Sequence, residues 1–174
     1  MDKFLRTIHE LTEIVGPSGR ESKVANYLKK NWSEYGEVKE DRLGNLSITI
    51  GNKGPHIAFS AHMDEVGFVI KYIDEKGFIS LNKLGGIPER VLSGQKILIL
   101  GKKGLIQGVF TTWPHHLTPD SEKYKVKPIG ECWVDVGVFS KKEAESIGLR
   151  VGDFGVYSRS WHVEGKTIFS NSLD

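Results

Sequence analysis

Helical periodicity almost vanishes from this chain beyond Gly67, and no other feature restricts the fold as tightly. Ahead of it, Phe4, Ile8, Leu11 and Val15 recur at helical spacing while Lys3, Arg6 and Glu10 take the opposite face, so residues 2–14 read as an amphipathic helix. Gly16-Pro17-Ser18-Gly19 breaks it. Ser18 with Glu21 reads as a capping box, opening a second helix whose stripe is Val24, Tyr27, Leu28 and Trp32 and which ends near Gly36. The pattern then turns to strands at 38–43 and 46–50 about a Gly44-Asn45 turn, and at 56–62 after a turn at 51–54. The centre of the last run, Ile57-Ala58-Phe59-Ser60-Ala61, is apolar and bounded by turn residues, as in a central strand covered on both faces. Helix, helix, hairpin and buried strand make an α/β opening.

Beyond Gly67 strand-like runs recur at 68–73, 78–81, 96–100, 105–110, 132–138 and 154–158, separated by Gly, Pro and Asp clusters. Many short strands at this spacing predict a small barrel or sandwich. One short helix interrupts them, with Ser140 and Glu143 as a capping box and Gly148 as the stop. The polar stretch 118–127 predicts a mobile loop.

The 24 Lys and Arg nearly balance the 22 Asp and Glu, leaving a formal charge of +2 and no electrostatic case for nucleic acid. No window approaches the ~18 apolar residues of a membrane span, so no membrane partner is expected. Cys132 is the single cysteine and MDKFLRTIHE lacks the apolar core of a signal peptide, which together predict a reducing, cytoplasmic setting.

Three candidates could carry chemistry. Residues two apart on an extended segment point to one face, so in His62-Met63-Asp64 the carboxylate can receive one imidazole N–H and fix the tautomer that presents the other nitrogen to a metal. The pair alone fits equally a histidine closing a strand with its partner. Its place at the end of the most apolar run, followed by Glu65, argues for buried charges that a divalent cation would neutralise. Asp174 is the third, although a carboxylate there also fits a solvated end. Adjacent His115 and His116 cannot easily face one ion and read as a loop or subunit contact, and Cys132 in Cys132-Trp133-Val134 reads as a packed thiol.

Leu11-Thr12-Glu13 with Gly16-Pro17-Ser18-Gly19, then residues 41–46 (DRLGNL), then residues 61–68 (AHMDEVGF) resemble, in order, signatures of the M42 metallo-aminopeptidases, glutamyl and tetrahedral aminopeptidases included. Gly85-Gly86-Ile87, Pro114-His115, Asp135-Val136-Gly137 and Val151-Gly152-Asp153 extend the resemblance over nearly the whole chain. It implies a partial metallopeptidase α/β domain (1–66), an inserted PDZ-like β-barrel that mediates oligomerisation (67–161) and a return segment (162–174). By this match His62 is a ligand of one metal, Asp64 the catalytic carboxylate that orients it, and Asp174 the bridge between two divalent ions, zinc or cobalt. The remaining ligands and the general-base glutamate are implied downstream, so residues 1–174 alone are expected to be inactive. Peptides are the implied substrates, and a homo-oligomer, up to a tetrahedral dodecamer, the implied assembly. Two departures are the run Thr111-Thr112-Trp113 before Pro114-His115, where the family has a smaller, basic run, and Ser170-Asn171-Ser172 before Leu173-Asp174. Competing readings are a truncated product acting only as an interaction module, and a sugar-active enzyme, since relatives carry endoglucanase labels.

Overall fold

The computed structural model describes residues 2–173, which form two units: residues 2–65 with Ser172 and Leu173, and Val66–Asn171.

In the first unit, α1 (Lys3–Glu13) starts where the Asp2 side chain accepts the Leu5 N–H at 2.9 Å. Helix α2 (Ser22–Trp32) buries Val24 and Ala25, and its Tyr27 hydroxyl donates to Glu10 Oε2 at 2.7 Å, tying the two helices. The capping box expected for α2 does not form. The helix opens at Ser22, Glu21 accepts the Gly19 N–H at 2.6 Å, and the Ser18 hydroxyl donates to Asp64. Strands β1 (Val38–Glu40) and β2 (Leu46–Ile48) pair antiparallel from Val38↔Ile48 to Glu40↔Leu46. Both are shorter than the sequence suggested. Asp41 Oδ1 accepts from the backbone N–H of Leu43 and Asn45, a side-chain turn that removes 41–45 from the ladder.

The strand expected at 56–62 is absent. A strand exists through its ladder neighbours, and among the described residues nothing pairs with this run; Ile57 is 77% and Phe59 94% exposed. What orders its C-terminal end is a single parallel bridge, Pro17↔Glu65.

The second unit is a closed antiparallel barrel. Its strands β3 (Gly67–Ile73), β4 (Ile79–Leu84), β5 (Lys96–Gly101), β6 (Gly104–Thr111), β7 (Trp133–Asp135) and β8 (Phe154–Tyr157) close in the order β3-β4-β7-β6-β5-β8. Closure leaves no free edge. Alternate residues fill the interior: Phe68 and Ile70 of β3, Ile79 and Leu81 of β4, Ile97 and Ile99 of β5, with Phe110, Val134 and Val156. The β3–β4 register shifts between Ile70 and Tyr72, and the extra residue resets the alternation so that Ile73 is buried while Tyr72 faces outward. Phe68 sits at the centre, its ring 5.2 Å from that of Phe110 and 5.5 Å from that of Tyr157. Gly108 allows the close approach of β7, since a Cβ there would stand 2.6 Å from Val134 Cγ1. Helix α3 (Lys141–Ser146) adds Ala144 to the core and has the Ser140 cap its sequence predicts, with Ser140 Oγ accepting from Glu143 N, while Glu143 Oε2 reaches one residue beyond the cap and accepts from Phe139 N.

Strands β9 (Trp161–Glu164) and β10 (Thr167–Ser170) form a hairpin that the sequence reading missed, and it groups with the barrel unit up to Asn171. Its signal was present: a two-residue loop, Gly165-Lys166, with Gly165 at φ +57° between alternating runs.

Candidate functional site

The site is built on a contact between two segments of the first unit that lie some fifty residues apart in sequence. Glu65 N donates to Gly16 O at 3.0 Å, and Gly16 N returns a bond to Glu65 Oε1 at 3.0 Å. Ser172 Oγ donates to Glu65 Oε2 at 2.5 Å, so both carboxylate oxygens of Glu65 are engaged. One residue earlier, the Ser18 hydroxyl donates to Asp64 Oδ2. The other oxygen, Oδ1, lies 3.1 Å from His62 Nδ1, and the Asp64 carbonyl lies 2.9 Å from the same nitrogen.

Two acceptors around Nδ1 decide the tautomer. A lone pair there would face two oxygens, so in the neutral ring Nδ1 carries the proton and Nε2 holds the lone pair a cation could use. The Ser18 hydroxyl does most to hold the Asp64 carboxyl below its ordinary pKa; burial opposes it, and the His62 ring adds to the lowering.

The pair converges, but not at the end of a strand and not as buried charge. The His62 side chain is 58% exposed and that of Asp64 37%. The expectation that these three ionisable groups are buried is therefore overturned, and both carboxylates accept hydrogen bonds from neutral donors. Asp174 lies outside the described residues. As a donor set, the arrangement fits one imidazole ligand with its orienting carboxylate and not a complete centre, since among the described residues no three His, Cys, Asp or Glu side chains converge. Sequence reasoning missed Ser18 as a partner of Asp64, because forty-six positions separate them.

The barrel unit holds the remaining candidates. His115 and His116 sit on the 3-10 turn His115–Leu117, with the His115 ring edge-on to Tyr124 at 6.4 Å. The stretch predicted to be mobile folds into turns laced by ion pairs, Glu122 with Lys125 (2.9 Å) and Lys127 (2.5 Å), and it walls an open groove of about 1120 Å³ together with Trp113, Phe110 and Trp133. Cys132 Sγ lies 3.5 Å from Pro128 O, and burial, then the charges of Glu89 and Glu131, push its thiol up. A neutral thiol is a poor nucleophile.

The chain spans about half the length of the curated relatives it matches. One is the glutamyl aminopeptidase of Lactococcus lactis subsp. cremoris, 32% identical over 175 residues, covering 96% of this chain and 49% of that protein. Among solved structures, the TET aminopeptidase of the marine sediment archaeon Thaumarchaeota archaeon SCGC AB-539-E09 is similar with a TM-score of 0.88 at 35% identity, over 94% of this chain and 47% of that one. The Pyrococcus horikoshii TET1 peptidase, which assembles into a tetrahedron or a large octahedral shell, gives 0.81 at 30% identity over 92% and 48%. The family model for M42 glutamyl aminopeptidases matches residues 44–174. Family model, relatives and structural neighbours agree, and the chain belongs to the M42 glutamyl aminopeptidase family.

Proposed function

We propose that this chain is the N-terminal portion of a metal-dependent aminopeptidase that removes N-terminal residues from peptides. The observation that carries the reading is the His62 imidazole with Nδ1 committed to Asp64 and Nε2 left as the lone-pair nitrogen. His62 would hold one divalent ion through Nε2 with Asp64 keeping the ring in that orientation, and Asp174 would be a ligand shared with a second ion, zinc or cobalt in either place. Such a pair, when bound, polarises the scissile carbonyl and lowers the pKa of an attacking water. The further ligands and the general-base glutamate belong to the half of the relatives' length that this chain does not span. Around the site we assign 1–66 to the metallopeptidase domain, 67–161 to a PDZ-like insert and 162–174 to the return into that domain. The insert supplies subunit contacts in a homo-oligomer of the tetrahedral kind, in the cytoplasm.

Cobalt titration followed by visible absorption tests the ligand assignment. The expected result is weak binding that His62→Gln abolishes. Binding that survives that substitution would overturn His62 as a ligand, and tight binding of two zinc ions with cleavage of aminoacyl anilides by residues 1–174 would overturn the downstream placement of the other ligands.

A further inference from the structure

The segment Gly16-Pro17-Ser18-Gly19 does more than end a helix. Its residues hold the His62–Glu65 segment at successive points: Gly16 through a carbonyl that accepts the Glu65 N–H and an N–H that donates to the Glu65 carboxylate, Pro17 through the bridge to Glu65, and Ser18 through its hydroxyl on Asp64 Oδ2. The backbone contacts fix where the segment runs. They do not fix the rotation of the Asp64 carboxylate about its own bond, because a carboxylate has two equivalent oxygens and a broad terminal torsion. The Ser18 bond removes that freedom. With Oδ2 taken, Oδ1 is left facing His62 Nδ1.

We infer that Ser18 is a positioning residue, whose hydroxyl locks the Asp64 carboxylate so that Oδ1 receives the His62 Nδ1–H and Nε2 is held as the outward lone-pair nitrogen. This rests on the reading of His62 as a ligand through Nε2. The hydroxyl has one proton to donate, and given to Oδ2 it leaves the carboxylate charge and the Oδ1 lone pairs for the imidazole. Without it, Asp64 turns toward water and the imidazole keeps only the Asp64 carbonyl as a partner. A carbonyl alone selects the same tautomer less strongly than a carbonyl and a carboxylate together, so the expected effect is a shift in population and not an inversion. Threonine keeps the donor. Alanine does not.

The populations can be read directly from 15N-histidine spectra of the 1–174 chain in the solid state, where self-association does not broaden the lines and where each neutral tautomer and the cation give separate nitrogen signals. His62→Gln identifies the His62 signals among the six histidines. The parent is expected to show His62 overwhelmingly protonated on Nδ1. In Ser18→Ala the ratio of Nδ1–H to Nε2–H should fall about tenfold, the size of one lost hydrogen bond, while Ser18→Thr restores it and the helical circular dichroism of all chains stays the same. A parent-like ratio in Ser18→Ala overturns the role of Ser18 and leaves the ligand reading standing. A Ser18→Thr chain that matches Ser18→Ala also overturns it, since the hydroxyl would then not be what acts. A parent chain with His62 protonated on Nε2 overturns the ligand reading itself, and this inference with it.

Discussion

Gly16 is a position where the sign of a substitution can be changed by its neighbour. A Cβ built there would stand 2.7 Å from Val24 Cγ2, against the 3.5–4.0 Å at which carbon atoms rest. Val24 cannot yield cheaply, being buried at 8% exposure and held by its β-branch to one strongly preferred rotamer in α2. Overpacking of this kind costs about 1–3 kcal/mol. The backbone itself does not object to alanine, because φ at Gly16 is not in the left-handed region, so the restricted unfolded chain returns about 0.4–1 kcal/mol. Gly16→Ala alone should therefore destabilise the first unit by up to about 2.6 kcal/mol, with a central value of about 1.3 kcal/mol. In a Val24→Ala background the clashing methyl is gone and only Met63 O at 3.8 Å and Glu21 Cα at 3.9 Å remain, both ordinary contacts. There the same substitution should be neutral or stabilising, a coupling of about 1–3 kcal/mol in the double-mutant cycle. Amide exchange of α2 reads this, since it reports the opening of that unit without requiring the barrel to unfold. Equal losses in both backgrounds would refute the contact as the cause.

Three further outcomes are expected. Glu122 is held at a pKa of about 2 by Lys127 and Lys125, well below the ordinary 4.5, so its contribution to the order of the 118–127 loop should be full above the ordinary value and fade as pH falls toward 2, with Glu122→Gln removing that pH dependence when the loop's backbone amide NMR signals are followed against pH. Cys132 should react with iodoacetamide at pH 8 more slowly in the folded than in the urea-unfolded chain, because its raised pKa keeps the thiol protonated. Ser140→Ala should destabilise the barrel by about 1 kcal/mol through loss of the α3 cap, measured by hydrogen exchange of the Glu143 amide region.

What was legible in the sequence follows the range of the interaction that makes each feature. The change at Gly67 could be read because alternation along a strand is local: Phe68, Ile70, Ile79, Leu81, Ile97 and Ile99 alternate inward within their own runs. The Ser140 cap of α3 was legible for the same reason. The Ser18/Glu21 box had the same spelling and did not form: the helix opens at Ser22, Glu21 takes the Gly19 N–H, and the Ser18 hydroxyl donates to Asp64, a partner forty-six residues on that local spacing does not reveal. Spacing alone gave the His62–Asp64 convergence, but not the exposure of the pair, which depends on what surrounds it.

The run 56–62 separates composition from pairing. Its apolar centre says what such a segment is suited to, while a strand requires neighbours that a local pattern cannot supply. If the ligand geometry depended on that ladder, His62 would be poorly oriented here, with Ile57 and Phe59 exposed just ahead of it. It does not. The imidazole is aimed by Asp64, Asp64 by Ser18, and the backbone of Glu65 by Gly16, all contacts that run across to the end of α1 and not along a sheet. The orientation of the candidate ligand is thus set by the loop between α1 and α2, and covering Ile57 and Phe59 would change the exposure of the run without being needed to turn the ring.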